Sequence, residues 1–399
     1  MSIIIPVFNG ANYMREAIDS ALAQTYKNIE ILVINDGSTD KTREIARSYE
    51  GKIRYFEKEN GGVSTALNIG ISEMHGEYFS WLSHDDIYYP DKIECEVAAL
   101  LEDGDMGKVV YSGWDQLIMP SRKLLRNASR FMDYIPQCIK ETGVLMPMLG
   151  LVSGCTLLIP RKMLLEYGGF DEKYRAVQDY KLWFEMFRGK RTIYVPKHLV
   201  VTRSHEMQTG KIYGGCLDEE EWLFRWMIES FDEKYLVGSG VSLYTFYCIL
   251  LKHMQGRWAE SYNLVVRRIL STEEDSDIDA RVEPILRRLT ANNQDIYLYC
   301  AGRRGRRLLW QLVVHGISVA GIADSDETKW GTMIEGFTCM RPDEIPYSAS
   351  IIVTKLQPDE LIQTLRKKGY RYICSFDDFD GELRMLPVKK ECFKGYMGA

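Results

Sequence analysis

The stretches SIIIPVFNG (residues 2–10) and IEILVINDGSTD (residues 29–40) decide the fold of this chain. Each begins with a run of aliphatic residues and ends in a polar, glycine-containing turn. Between them, from Tyr13 to Ala23, apolar residues recur at helical spacing. A buried strand, a helix and a second buried strand predict a parallel β-α-β unit.

The same alternation continues along the chain and predicts an α/β fold with a mostly parallel sheet covered by helices on both faces. Further strands are predicted over residues 53–56, 78–82, 109–112, 156–160, 192–195 and 199–202, and further helices over residues 41–49, 63–72, 91–101 and 180–187. In such sheets, ligands bind beyond the carboxyl ends of the strands. Asp36, Asp85 and Asp86 follow strand ends, which makes them candidate site residues.

The chain has 399 residues, which is too long for one ordinary core. We expect three parts: an α/β domain over residues 1–216, a helical connector over residues 217–290, and a smaller α/β domain with a C-terminal tail over residues 291–399. The last part is predicted from a strand, a turn and a helix that begin near Asp295.

Composition excludes several classes of protein. The net charge of −6 gives no general attraction to nucleic acid. The nine cysteines are scattered without a Cys-x-x-Cys pair, which argues against a disulfide framework or a structural zinc site and for a reducing compartment. We expect no signal peptide, because Met1 leads directly into a strand pattern, and no apolar run reaches the length of about 18 residues needed to span a bilayer. We therefore expect a cytoplasmic protein, with peripheral contact at the inner face of a membrane left open.

Asp85 and Asp86 come directly after the apolar strand 78–82. Carboxylate oxygens are the ligands that Mg²⁺ and Mn²⁺ prefer, and both metals share them with substrate phosphates. An isolated Asp-Asp pair is more often a solvated turn, here ahead of Pro90. The pair therefore predicts a metal site only in combination with other signals.

Four other features each have a structural and a functional interpretation. Asp36 either forms a helix-capping turn or accepts hydrogen bonds from a nucleotide. Asn60-Gly61-Gly62 either forms an ordinary turn or lets a ligand approach the backbone closely. Asp179 either caps a helix or serves as a general base, and His205 is either structural or a ligand.

Taken in order, these segments closely resemble the family 2 glycosyltransferases. The resemblance is carried by residues 2–10, 17–26 (AIDSALAQTY), 29–40, 60–71 (NGGVSTALNIGI), 81–90 (WLSHDDIYYP), 168–172 (GGFDE), 177–183 (VQDYKLW) and 203–209 (RSHEMQT). They occur in the order and spacing of the family, across about half of the chain.

The resemblance implies a GT-A fold and an inverting transfer of a sugar from a nucleotide-diphosphate donor, with a UDP-sugar favoured. It implies Mn²⁺ or Mg²⁺ as cofactor, with Asp86 and His205 at the metal, and Asp179 as the catalytic base. The acceptor would be a glycan or a lipid-linked hydroxyl, as in assembly of bacterial surface polysaccharide or glycolipid. The donor-binding residues that it implies are Pro6, Val7, Asn9, Asp36, Asn60, Gly62, Asn68 and Asp85.

The chain departs from the family pattern at two positions. Ser83 stands where the family often has an aspartate, and Leu67 stands where many members have an arginine. Two other functions stay open. A nucleotidyltransferase usually has a glycine-rich basic phosphate loop, which residues 6–10 do not resemble, and a non-catalytic sugar-nucleotide sensor would not depend on Asp179.

The C-terminal part contains the turn CAGRRG (residues 300–305), which resembles a dinucleotide-binding turn with Cys300 in place of the first glycine. Asp324 follows near the position expected for a ribose ligand. Bound NAD, another nucleotide, and a structural or partner-binding module all stay open. Arg303, Arg304, Arg306 and Arg307 at the start of the predicted helix would favour an anion.

Overall fold

The computed structural model describes residues 1–126, 128–129, 132–133, 135–254, 257–291, 294–355 and 358–393. These residues divide into two compact units: a first unit of residues 1–132 and 136–240, and a second unit of residues 133–135 and 241 onward. The predicted division at residues 216 and 290 stays a prediction. The C-terminal tail beyond residue 393 lies outside the described residues.

The first unit alternates strands and helices up to its fourth helix and becomes less regular afterwards. Its elements are β1 (Ser2–Val7), α1 (Met14–Leu22), β2 (Glu30–Asp36), α2 (Thr42–Arg47), β3 (Arg54–Lys58), α3 (Val63–Glu73), β4 (Tyr78–Trp81), β5 (Ile87–Tyr88), α4 (Lys92–Asp103), β6 (Val110–Ile118), β7 (Lys123–Leu125), α5 (Gln137–Lys140), α6 (Leu145–Met148), β8 (Leu157–Pro160), α7 (Arg161–Glu166), α8 (Gln178–Phe187), β9 (Ile193–Ser204), α9 (Thr209–Ile212) and α10 (Cys216–Glu229).

One sheet organises this unit, with its strands in the order β3-β2-β1-β4-β8-β6-β9-β5 and β7 paired to β6. β1 pairs in parallel with both β2 and β4, so the carboxyl ends of these three strands share one edge. The ladder between β1 and β4 ends at Ile4, before Pro6, which has no N–H to donate. Beyond β4 the sheet is mixed, because β8 runs antiparallel to its neighbours β4 and β6.

The core of the first unit lies between β1, β2 and the helices packed against them. All six residues of β1 are buried, and Met14, Ala17 and Ile18 of α1 pack in the same cluster. This burial explains why both strands consist of aliphatic runs rather than alternating patterns, as expected of a parallel strand covered on both faces.

β9 is a single strand where the sequence predicted two. It pairs in parallel with β6, and the register shifts between Ser112 and Trp114, opposite Pro196 and Lys197. A bulge of this kind leaves a residue without a ladder partner, which is where a strand tolerates proline. The strand therefore continues past Pro196 and carries its last residues to the edge where β2 and β4 end.

The second unit begins with three helices and continues as a parallel sheet. Its elements are α11 (Leu243–Met254), α12 (Ala259–Ser271), α13 (Ile278–Thr290), β10 (Ile296–Tyr299), α14 (Arg303–Val314), β11 (Gly321–Ala323), β12 (Met333–Ile334), β13 (Phe337–Met340), β14 (Ser350–Val353), α15 (Asp359–Lys367), β15 (Tyr372–Ser375) and α16 (Asp380–Met385). The strand order is β12-β13-β11-β10-β14-β15, and all pairs are parallel except the β12–β13 hairpin. This is the predicted Rossmann-like arrangement.

A buried ion pair lies under the first sheet. Lys92 and Glu96 of α4 are both fully buried, and their side chains are 2.7 Å apart. Lys92 also donates to the Ser80 hydroxyl at 3.1 Å and lies over the ring of Tyr88. Removing one member of such a pair leaves an unpaired buried charge, whereas replacing both removes two desolvation penalties.

We predict that Lys92→Met lowers the free energy of unfolding by about 3–5 kcal/mol, because it leaves Glu96 buried without its partner. The double variant Lys92→Met/Glu96→Leu should return to within about 1–2 kcal/mol of the wild type. Lys108→Met, which breaks the partly exposed pair with Asp103, is the control and should change stability by less than about 1 kcal/mol. Urea unfolding measures all three, and a double variant as unstable as Lys92→Met would contradict the prediction.

Candidate functional site

The loop after β1 is held against the segment after β2 by several hydrogen bonds. The N–H groups of Asn9, Gly10 and Ala11 donate to Ser38 Oγ at 2.9 Å, Thr42 Oγ1 at 3.0 Å and Asp40 Oδ2 at 3.0 Å. In return, Asn9 Oδ1 accepts the N–H of Thr39 at 2.8 Å. The predicted donor residue Asn9 therefore lies on a well-fixed loop at the carboxyl edge of the sheet, and Pro6 and Val7 are the last two residues of β1 before it.

Gly10 is the residue in this loop with no room for a side chain. A Cβ there would lie 2.5 Å from the ring of His84 and 2.5 Å from Val7. The first loop therefore packs directly on the turn that follows β4. Burial lowers the pKa of His84, so this ring contacts the loop in its neutral form.

Asp36, the last residue of β2, is buried and holds the turn that precedes α3. Its carboxylate accepts the backbone N–H of Gly61 at 2.9 Å and of Gly62 at 2.8 Å, and it pairs with Lys58. Asn60 donates from its side chain to the Asp36 carbonyl at 3.0 Å. Asp36 thus brings together three predicted donor-binding positions, and its direct contact with a nucleotide stays a prediction.

Asp85 and Asp86 occupy the turn after β4, as predicted. Asp86 is 7% exposed, and its Oδ1 accepts the backbone N–H of Arg203 at 2.8 Å. Its Oδ2 accepts the thiol of Cys155 at 3.2 Å. Burial raises the pKa of Asp86 to about 8, and the neighbouring Asp85 carboxylate adds to the rise.

His205 lies beside the Asp85–Asp86 turn, which the sequence spacing alone could not establish. Its Nε2 is 2.8 Å from Asp85 Oδ2, and both side chains are almost buried, at 11% and 14% exposure. The N–H of Met207 reaches His205 Nδ1 at 3.3 Å. The end of β9 therefore brings the predicted metal residue His205 against the predicted carboxylate pair.

Asp179 lies in the first turn of α8, and its carboxylate accepts the N–H of Tyr180 at 2.8 Å. The start of this helix is anchored by Tyr180, which donates from its hydroxyl to the carbonyl of Val152 at 2.8 Å. Val152 precedes Cys155, the thiol that contacts Asp86, so α8 is tied to the same edge of the sheet. Burial raises the pKa of Asp179 to about 6, which places its titration close to neutral pH.

Asn68 contacts the loop after α7 through both ends of its amide. Its Nδ2 donates to the carbonyl of Phe170 at 2.9 Å and to Glu172 at 3.0 Å, and its Oδ1 accepts the N–H of Phe170 at 2.8 Å. These bonds connect α3 to the segment GGFDE. The role of Asn68 in donor binding stays a prediction.

In the second unit, Asp324 binds its own chain. Its carboxylate accepts the N–H groups of Ala301 at 2.7 Å and Asp326 at 2.9 Å, and it pairs with Lys329 at 2.9 Å. These contacts join Asp324 to the turn at residues 300–305, and the three alternatives for this unit stay open.

The four arginines predicted at the start of α14 form two groups in the structure, one ion-paired and one exposed. Arg304 pairs with Asp377 and Arg307 pairs with Asp380, and both guanidinium groups lie over the ring of Phe376. Arg303 and Arg306 are exposed. Two of the four arginines are therefore already paired with carboxylates, and an anion at this helix start stays a prediction.

Sequence reasoning missed two residues of the first site. Cys155 contacts Asp86, Ser83 Oγ and the Ser83 N–H, at 3.2, 3.4 and 3.3 Å. No motif marked it. Arg203 stood in a matched segment, but its burial arises only from tertiary packing.

The donor set at the Asp85–Asp86 turn fits a divalent cation. Burial and the adjacent Asp85 carboxylate disfavour the charged form of Asp86, and a bound cation would offset this penalty. Among the residues that the structure describes, no group of three or more His, Cys, Asp or Glu side chains forms a complete metal cage. Mg²⁺ commonly takes one or two carboxylates and completes its shell with water and phosphate oxygens.

Comparison with known proteins places the chain among glycosyltransferases. Residues 2–168 match the profile of Glycosyl transferase family 2. An uncharacterised glycosyltransferase of Rickettsia typhi is 47% identical over 240 residues, which are 59% of this chain and 74% of the relative. One of Rickettsia bellii is 44% identical over 254 residues, and this chain spans only 36% of its length. The structure of S. aureus TarS 1–349 in complex with UDP-GlcNAc has a TM-score of 0.49 at 16% identity, over 73% of this chain and 87% of that one.

We predict that Asp36→Ala accelerates amide hydrogen exchange at Gly61 and Gly62 by about tenfold or more, because both N–H groups lose a charged acceptor. Asp40→Ala is the matched control, since Asp40 accepts the N–H groups of Ala11 and Thr42 instead. Each variant should accelerate exchange only at the two amides whose acceptor it removes. Equal protection of Gly61 and Gly62 in Asp36→Ala and wild type would show that Asp36 does not hold this turn.

Proposed function

The chain belongs to Glycosyl transferase family 2 and is a glycosyltransferase, and on this premise we propose an inverting transfer from a nucleotide-diphosphate sugar to an acceptor hydroxyl. The observation that carries the proposal is that two carboxylates, Asp86 and Asp179, lie in buried surroundings at the same edge of the GT-A sheet. The Asp85–Asp86 turn places a buried carboxylate beside a second one, and burial raises the pKa of Asp179 to about 6.

The donor would bind along the edge formed by the loop after β1, Asp36, and the turn at residues 60–62. The backbone N–H groups at the start of α3 offer donors to an anionic ligand, and the fixed loop after β1 places Asn9 at the same edge. A UDP-sugar remains the favoured donor. Pro6, Val7, Asn9, Asn60, Gly62 and Asp85 keep their proposed donor contacts.

A divalent cation, Mn²⁺ or Mg²⁺, would be held by Asp86 with His205, beside Asp85. When bound there, it would stabilise the charge of the departing nucleoside diphosphate. The chain's own part is to keep these side chains in place before substrate arrives. Arg203 and Cys155 do so at Asp86, and Asp85 holds the ring of His205 at 2.8 Å.

Asp179 would take the proton from the acceptor hydroxyl as that oxygen attacks the anomeric carbon on the face opposite the leaving group. A base with a pKa near the working pH combines a large ionised fraction with useful basicity. The pKa of about 6 meets this requirement, which an exposed aspartate would not.

The proposal extends to the acceptor class and the pathway. We place the enzyme in assembly of bacterial surface polysaccharide or glycolipid, acting on a glycan or lipid-linked acceptor at the cytoplasmic face. Within the described parts of the chain, no helix has both the length and the apolar character needed to cross a bilayer.

A thermal-shift screen of nucleotide sugars tests donor and metal together. A donor present at 100 times its Kd should stabilise the folded protein by about 2.7 kcal/mol. We predict that one nucleotide sugar raises Tm with Mn²⁺, that excess EDTA removes most of this shift, and that Asp86→Ala behaves as the EDTA sample does. Asp103→Ala, a surface aspartate paired with Lys108, should retain the full shift. A shift that is undiminished in EDTA would exclude the metal role, and no shift with any donor would exclude nucleotide-sugar binding.

We predict that Asp179→Asn lowers turnover by about 10²-fold or more while leaving donor affinity nearly unchanged, because the amide keeps the shape but accepts no proton. In the wild type, turnover should fall as pH drops through about 6, since only the ionised form of Asp179 is a base. The variant should lack this acidic limb.

Asp171→Asn is the control for this experiment. Asp171 pairs with Lys181 at 3.4 Å, and its loss should change turnover by less than about threefold. Near-normal turnover in Asp179→Asn would place the base elsewhere. Donor binding with no turnover in the wild type under any condition would favour the sensor instead.

A further inference from the structure

Arg203 is a buried arginine that neither the donor site nor the base accounts for. It is the second-to-last residue of β9, and 1% of it is exposed. Burying a guanidinium is unfavourable unless hydrogen bonds and opposite charge compensate it. Its partners therefore indicate why it lies there.

The partners of Arg203 include both residues of the Asp85–Asp86 turn. Its backbone N–H donates to Asp86 Oδ1 at 2.8 Å, and its side-chain Nε donates to the backbone carbonyl of Asp85 at 2.7 Å. Two residues further on, His205 meets the Asp85 carboxylate at 2.8 Å. The end of β9 and the residue after it therefore contact the turn at three points. Of these contacts, the hydrogen bond from the Arg203 side chain is the one that fixes the backbone of Asp85.

The rest of the guanidinium is anchored to the first helix. It lies 4.2 Å above the centre of the Tyr13 ring, and it is 3.3 Å from Glu16 of α1. The Tyr13 ring also contacts the ring of His205, at 5.2 Å between centres. Because the planar group presents separate N–H donors, it can bind the Asp85 carbonyl and Glu16 at once, which the single ammonium of lysine cannot do in the same geometry.

We propose that Arg203 is a positioning residue that sets the backbone of the Asp85–Asp86 turn, so that both carboxylates are held ready for a cation. The carbonyl of Asp85, fixed by Nε, determines the orientation of the peptide that joins the two aspartates. The role in metal affinity rests on the proposed function. The role in holding the turn does not depend on it.

Arg203→Met, which keeps much of the volume and the backbone N–H but removes every side-chain donor, tests the proposal through two measurements. In metal-free protein, amide hydrogen exchange of the segment 83–88 should accelerate by about tenfold, while other segments of the first unit are unchanged. The dissociation constant for Mn²⁺, measured by electron paramagnetic resonance of free Mn²⁺, should rise by about tenfold, the usual effect of losing a residue that supports a metal ligand. Arg122→Met is the matched control, since Arg122 also pairs with Glu16 but is 59% exposed, and it should change neither value.

Glu16→Gln is the second variant, for use if Arg203→Met does not fold. It leaves Nε on Asp85 but releases the far end of the guanidinium, and exchange in segment 83–88 should rise by about threefold. Unchanged exchange in that segment in a folded variant overturns the positioning role. An exchange difference together with a wild type that binds no Mn²⁺ supports the positioning role and counts against the metal site of the proposed function.

Discussion

The parallel pairing of β1 with β2 on one side and β4 on the other is the constraint on which the site depends. Parallel strands end at the same edge, so the residues that follow these three strands meet although they are far apart in sequence. All six residues of β1 are buried, so both faces of the strand are covered and the strand lies inside the sheet. Polar residues are then free to concentrate where the strands end.

Two buried aspartates at this edge show how environment separates roles that the sequence cannot distinguish. Asp36 is surrounded by donors, with two backbone N–H groups and Lys58 in contact, so its charge is compensated within the protein. Asp86 has one backbone N–H and one thiol, and it lies beside Asp85, so its charge is not compensated. The first arrangement holds a loop, whereas in the proposed function the second would be completed by a cation.

The sequence predicted the strands of the first half of the sheet closely, because long aliphatic runs bounded by turns have few alternative structures. It did not predict that residues 193–204 form one strand, since the bulge opposite Pro196 depends on the partner strand. The candidate residues Asp85, Asp86 and His205 were found by motif, and the structure brings them together. Cys155 and the buried state of Arg203 were not predictable, because their contacts join segments more than 60 residues apart and no periodicity reports such contacts.

The thiol of Cys155 bears on which metal the turn accepts. Thiolate is a soft ligand that favours zinc, whereas carboxylate and carbonyl oxygens suit magnesium and manganese. Only the thiolate coordinates strongly, and burial raises the pKa of this thiol far above its usual range. In the metal-free protein the sulfur next to Asp86 therefore stays protonated and acts as a hydrogen-bond donor. A soft cation such as zinc could use this sulfur only by displacing its proton, whereas a hard cation would need only the oxygen atoms of the turn.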